Sequence, residues 1–250
     1  MASFDAVIVG GGPAGSTTGA LLRKYAPDSR VLILERERFP RDHVGESQLP
    51  PIGAILAEMG CWDEVEAAGF PIKIGATLRW GRENSLWDFD FIPYGKLAAQ
   101  PRPARFEGQR TKTAFQVDRA KYDDILLRRA ATLGCDVRQE TKVVRVRADG
   151  DRIEGLELSD GTLATGRWYV DASGGAGVLR RAMKVPVEAP GQLRNVACWD
   201  YWEGAQWAEE IGVEGTRVQV LCVGYGWLWF IPISSTRASV GLVVPAEYVA

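Results

Sequence analysis

The chain has 250 residues, 46% hydrophobic and 25% charged, with a formal net charge of −2. That length buries a sizeable core in one large domain or two interleaved ones. The near-neutral charge excludes any general attraction to nucleic acid or to an anionic membrane surface.

Four cysteines, Cys61, Cys135, Cys198 and Cys222, show no CxxC spacing, which argues against a zinc or dithiol site and suits a reducing compartment. They read as small buried hydrophobes. The opening MASFDAVIVGGG has no basic n-region and no cleavable apolar segment. The apolar run 221–233 is shorter than the ~20 residues a membrane-spanning helix needs. A cytoplasmic protein with no membrane or nucleic-acid partner is expected.

In chain order, residues 4–9 read as a short buried strand, GGGPAG as a turn, 14–25 as a helix and VLILE as a second strand ending at Glu35. This is a βαβ opening with parallel strands. Residues 70–92 alternate as strands. In IKIGATLRW, simple alternation puts Ile72, Ile74, Ala76, Leu78 and Trp80 on one face and Lys73, Gly75, Thr77 and Arg79 on the other. Residues 93–112 have no periodicity and read as a lid loop, in which Arg102, Arg105, Arg110 and Lys112 form a basic cluster. A helix is predicted over 118–133, with Asp118 before it and Gly134 after. Three or four strands joined by DGD and SDG turns follow over 135–174, and several more over 192–244. In GWLWFIP, Trp227, Trp229 and Ile231 share one face. The nine tryptophans suit a Trp-rich core or a planar ligand, and the count alone favours the core.

Gly10-x-Gly12-x-x-Gly15 follows a strand and opens a helix, with Glu35 ending the next strand. In that context it is a dinucleotide fingerprint. Gly10 permits the tight turn, Gly12 lets backbone approach a diphosphate, and Gly15 lets helix and strand pack closely. Free amides at the helix start then meet the anion. Glu35 would accept from ribose hydroxyls and repel a 2′-phosphate, which argues against NADP. The fingerprint itself serves FAD and NAD alike.

The glycine box, FPRDHVGES, QVDR (116–119) and YVDASG (169–174) together resemble FAD-dependent monooxygenases of the p-hydroxybenzoate hydroxylase type. The branch they resemble most is that of the flavin-dependent halogenases. GWLWFIP matches the WxWxIP signature of that branch, and PIKIGATLRW resembles the segment carrying its catalytic lysine. The implied fold is α/β: a Rossmann-like FAD-binding domain interleaved with an antiparallel-sheet substrate domain. Its expected segments are 1–70 and 113–190 for FAD binding, 71–112 for substrate-domain strands and lid, and 191–250 for the substrate-domain sheet. The resemblance implies cofactor contacts from Gly10, Gly12, Pro13, Ala14, Gly15, Glu35 and Arg36. It further implies contacts from Arg41 and Ser47 on the flavin side, Arg119 near the linking phosphates, Val143, and Asp171 and Gly174 closing over the cofactor.

The implied activity is halogenation. FADH2 and O2 oxidise chloride or bromide to hypohalous acid, Trp227 and Trp229 wall off the substrate, and Lys73 holds the oxidant beside an electron-rich aromatic. The expected partners are a separate flavin reductase, because no second dinucleotide fingerprint is seen, and a small aromatic substrate, free or tethered to a carrier protein. The family pattern extends beyond this sequence through a GD-containing box and a C-terminal region, so the chain is expected to be its N-terminal portion. Two other readings stand beside it: an FAD-dependent monooxygenase or geranylgeranyl-reductase-like oxidoreductase, and an inactive FAD-binding fragment.

Overall fold

A computed structural model describes residues 3–81, 85–93, 112–188, 194–204 and 215–249. Most of the expected lid loop, with Arg102, Arg105 and Arg110, lies outside the described residues.

In chain order the elements begin with β1 (Phe4–Val9), α1 (Pro13–Tyr25), β2 (Val31–Leu34), α2 (Ile52–Met59) and α3 (Trp62–Ala67). Next come β3 (Ile72–Arg79), β4 (Trp87–Asp90), β5 (Ala114–Phe115), α4 (Arg119–Thr132), β6 (Asp136–Arg138) and β7 (Val143–Asp149). The chain then runs through β8 (Arg152–Leu158), β9 (Leu163–Ala164), β10 (Gly166–Asp171), α5 (Val178–Ala182) and β11 (Asn195–Glu203). It ends with β12 (Gly215–Cys222), β13 (Trp227–Pro232) and β14 (Arg237–Pro245). None of the described helices is long and apolar enough to cross a membrane.

The chain divides into two compact units, 1–41 with 120–187, and 42–119 with 188–250. The first holds a four-stranded parallel sheet in the order β10-β1-β2-β6. Continuous apolar runs such as VLIL, buried at every position, are what a parallel strand covered on both faces requires. On one face, Val7, Val9, Leu32 and Leu34 pack with Leu156, Leu158 and Ala164 of the three-stranded antiparallel sheet β7-β8-β9, and with Leu179 of α5. On the other, α1 lies so close that a Cβ on Gly19 would sit 2.7 Å from Ile33 Cδ1. Residues 135–174 form five strands rather than three or four, because the three-residue β6 joins the parallel sheet and β9 adds a two-residue rung.

The second unit is built on a mixed sheet in the order β11-β14-β13-β12-β3-β4, with β5 also pairing β3. Every pair is antiparallel except β12 with β3, which run parallel. Its core gathers Leu56, Met59, Val65, Ile72 and Ile74, with Trp62 against Phe115 at a ring-centroid distance of 5.5 Å. The cysteines are only partly the buried hydrophobes expected: Cys61 and Cys135 are buried, but Cys198 is exposed. Cys198 lies on β11, which among the described strands is at the rim of the sheet.

Candidate functional site

In the first unit the glycine turn joins β1 to α1. Gly10 has φ +110°, and a Cβ there would meet Ala172 O at 2.3 Å; at Gly15 it would meet Gly10 O at 1.9 Å. Only glycine fits at either position. Helix α1 starts at Pro13 with no side-chain cap on Gly12, and Ala14 is exposed beside it. The first-turn amides therefore face outward, as an anion requires. Arg41 adds charge at this turn, with Nη2 3.5 Å from where a Gly12 Cβ would lie. It is held there by Asp123 (3.0 Å) and Glu37 (3.3 Å) and by the ring of Phe39 (4.5 Å).

Glu35 is buried at the end of β2 and accepts from Gly11 N (2.7 Å) and Glu37 N (2.9 Å), one amide per oxygen. A carboxylate has about four acceptor sites, so two remain for ribose hydroxyls. Arg36 is exposed and pairs with Glu37 at 3.2 Å. Asp171 ends β10 opposite Val9 and accepts from Ser173 Oγ (2.5 Å) and Arg180 N (2.9 Å). Burial pushes its carboxyl up, but these hydrogen bonds together outweigh burial and hold it below the usual range. Asp171 thus braces the start of α5, and Gly174, with φ +60°, has open space at its Cβ position. Val143 packs its side chain on the hydrophobic core. The cradle fits the diphosphate and ribose of a dinucleotide such as FAD.

In the second unit, Lys73 is 4% exposed. Its Nζ donates to Gln48 O at 2.7 Å and lies 5.4 Å from the Phe91 ring centroid. Burial lowers its pKa from 10.5 to about 8. Simple alternation misplaced it. Lys73 pairs with Thr216, but the next partner, Arg217, pairs with Gly75, so β3 carries an extra residue at Ile74. Such a bulge re-aims the side chains on either side of it. Counted through β12, Lys73 falls on the face of Ala76 and Leu78. The same residues of β3 pair with Phe89 and Trp87 of β4.

That face carries tryptophan at both rims and on β13. One row crosses six strands through Trp199, Gly241, Trp229, Val220, Leu78 and Trp87. Trp229 lies across Gly241, where a Cβ would come within 2.2 Å of the indole, and donates Nε1–H to Ser239 Oγ at 3.1 Å. Trp227 packs on Trp80 with centroids 6.0 Å apart. Strand spacings of about 4.8 Å and rises of about 3.3 Å separate the Cα atoms of Trp229 and Lys73 by roughly 16 Å. They share a face without touching.

Ser47 and Gln116 are bridged in an antiparallel pair. Ser47 Oγ and both amide atoms of Gln116 are buried without a hydrogen-bond partner among the described residues. Arg119 is 8% exposed and donates to Val44 O (2.5 Å) and Gly45 O (3.3 Å). Sequence reasoning did not assign Gln48, Phe91 or Tyr201. The alternating WDYW of β11 was the available signal for Tyr201; Gln48 acts through its backbone, which no side-chain pattern reports.

The sequence model of the family described as tryptophan halogenase matches residues 5–100 and 94–250. A tryptophan 2-halogenase of Chondromyces crocatus is 34% identical over 251 residues, covering 98% of this chain and 44% of that protein. A 1H-pyrrole-2-carbonyl-[peptidyl-carrier protein] chlorinase of Pseudomonas fluorescens is 32% identical, covering 98% of this chain and 56% of that protein. Among solved structures, the myxobacterial chondrochloren halogenase CndH, a variant of FAD-dependent halogenases, superposes with a TM-score of 0.83 at 36% identity, over 100% of this chain and 54% of that one. The chain spans about half the length of the relatives it matches. A family model that matches nearly the whole chain shows that the chain belongs to the tryptophan halogenase family.

Proposed function

We propose that this chain carries the nucleotide-binding unit and the reactive-amine unit of a flavin-dependent halogenase acting on an electron-rich aromatic. The observation that carries this reading is the burial of Lys73 on the aromatic face, with its ammonium held by Gln48 O. A lysine kept from water at the cost of a lowered pKa is a functional-site signature.

When bound, reduced flavin with O2 supplies the two-electron oxidation of halide to hypohalous acid. Gly10, Gly12, Pro13, Ala14, Gly15 and Glu35 hold the nucleotide, with Arg41 on its phosphates. Lys73 donates a hydrogen bond to the oxygen of hypohalous acid. That polarises the O–X bond, so that the aromatic carbon takes the halogen, the ring loses its proton and the oxygen leaves as water. With a pKa of about 8, Lys73 is mostly ammonium at neutral pH and serves as that donor. The faces of Trp229, Trp227, Phe89 and Phe91 offer a planar substrate stacking surfaces and restrict it to one approach. A separate reductase supplies FADH2. The chlorinase relative is named for a carrier-bound pyrrole, so carrier-tethered as well as free aromatics belong among the substrates.

Turnover with FADH2, O2, chloride or bromide and a panel of phenols, indoles and free or carrier-bound pyrroles tests this. Halide-dependent halogenated product is expected, and Lys73→Ala should abolish it while flavin oxidation continues. Hydroxylated product with no halide dependence would sink the reading.

A further inference from the structure

The loop that anchors Lys73 is tied down by donors from elements far away in sequence. Tyr201 of β11 donates Oη–H to His43 O at 3.1 Å. Arg119, the first residue of α4, donates Nη1–H to Val44 O and Gly45 O at 2.5 and 3.3 Å. Val117 N donates to Glu46 O at 2.8 Å, and Gln48 N donates to Phe115 O at 3.1 Å. Gln48 O takes the Lys73 ammonium.

We propose that Arg119 and Tyr201 are positioning residues for Lys73, forming a two-point clamp that fixes the carbonyl on which the ammonium sits. This rests on the reading of Lys73 as the reactive amine. A lysine side chain is flexible and carries a compact charge, so a single acceptor sets its position only as well as that acceptor is itself held. A loop is mobile unless its carbonyls are captured. Arg119 captures two adjacent carbonyls with one buried guanidinium nitrogen, which a lysine's shorter reach and freely rotating ammonium would hold less rigidly. Tyr201 is in turn held by the Arg237 guanidinium, 4.1 Å from its ring centroid, and Arg237 by Glu203 at 3.1 Å and Asp118 at 3.6 Å. Burial, then the nearby Glu46 carboxylate, pushes the Tyr201 phenol well up, so it stays a donor across any working pH. Arg119 therefore serves the loop.

The test uses the whole chain labelled with 15Nζ-lysine, the Lys73 ammonium signal being assigned by its loss in Lys73→Arg. In the wild type at pH 7 this signal is expected to be protected from solvent exchange. Arg119→Lys and Tyr201→Phe should each speed its exchange at least ten-fold or broaden it away. Leu242→Ala, which weakens the same sheet without touching the loop, should leave it in place. Tyr201→Phe keeps the test valid if Arg119→Lys fails to fold. Unchanged protection in Tyr201→Phe, or equal loss in Leu242→Ala, overturns the proposal. The signal reports position and not chemistry. Should Lys73→Ala halogenate normally while the clamp variants behave as expected, the functional reading falls and the clamp stands.

Discussion

Replacing Lys73 by Met should change how stability depends on pH. In the folded chain Lys73 has a pKa of about 8, against 10.5 ordinarily, so the folded state binds fewer protons than the unfolded state between those values. Stability rises with pH wherever the unfolded state holds more protons. The cost of burying the ammonium is therefore present in full below pH 8 and is relieved as pH climbs toward 10.5. At ~1.4 kcal/mol per pH unit the full cost is at most about 3 kcal/mol. Discounted for screening by the polar surroundings, this leaves roughly 2 kcal/mol. Between pH 6.5 and 9.5 about 1–2 kcal/mol of this should be released. Urea unfolding of wild type and Lys73→Met at matched pH isolates the effect, because every other titrating group cancels in the difference. At pH 6.5 Met should be stabilising by about 1 kcal/mol: it gains the desolvation term and loses the bond to Gln48 O, worth about 1 kcal/mol. That advantage should vanish or reverse by pH 9.5. A difference between the two proteins that stays flat across this range would refute the argument, since Lys73 would then titrate alike folded and unfolded.

Gly15→Ala should abolish FAD binding, read by quenching of flavin fluorescence, because its Cβ would fall 1.9 Å from Gly10 O and force the turn apart. Glu35→Ala should weaken FAD binding by ten-fold or more and cost about 1–3 kcal/mol in stability, since Gly11 N and Glu37 N lose their acceptors; unchanged FAD affinity would remove Glu35 from the nucleotide site. Gly241→Ala should lower stability by about 1–3 kcal/mol and alter the near-ultraviolet tryptophan spectrum, because the added methyl meets the Trp229 indole at 2.2 Å. An unaltered spectrum would mean that Trp229 does not lie across that glycine.

The parts that were legible in the sequence are those in which a local rule determines a local shape. The glycine turn reads directly because strand, turn, helix and acidic residue occur within some thirty residues, and each has one physical task. The parallel strands read from VLIL because a strand covered on both faces has no reason to alternate. Trp227 and Trp229 were correctly put on one face, since β13 pairs without interruption on both sides. Tyr201, Arg119 and Gln48 were not legible as a group, because they meet only through contacts spanning tens to more than a hundred residues and end on backbone atoms that carry no sequence signal.

Lys73 shows why the remainder was lost. Alternation holds only while each residue of a strand faces one residue of its neighbour, and β3 breaks that count at Ile74, where two residues stand against one step of β12. Nothing in IKIG announces the break. Its cause is the partner strand, whose Thr216 must meet Lys73 while Arg217 must meet Gly75 and reach Asp90, to which its Nε bonds at 2.7 Å. The glycine fits the same account: a side chain at 75 would run into Phe89 O at 2.0 Å, so β4 can close over β3 only there. A lysine that alternation would send to the opposite face is turned by pairing partners on both sides onto the aromatic one, next to Phe91. The surroundings of Lys73 are thus a property of three strands together, and a reading of one strand at a time could identify the residue without finding them.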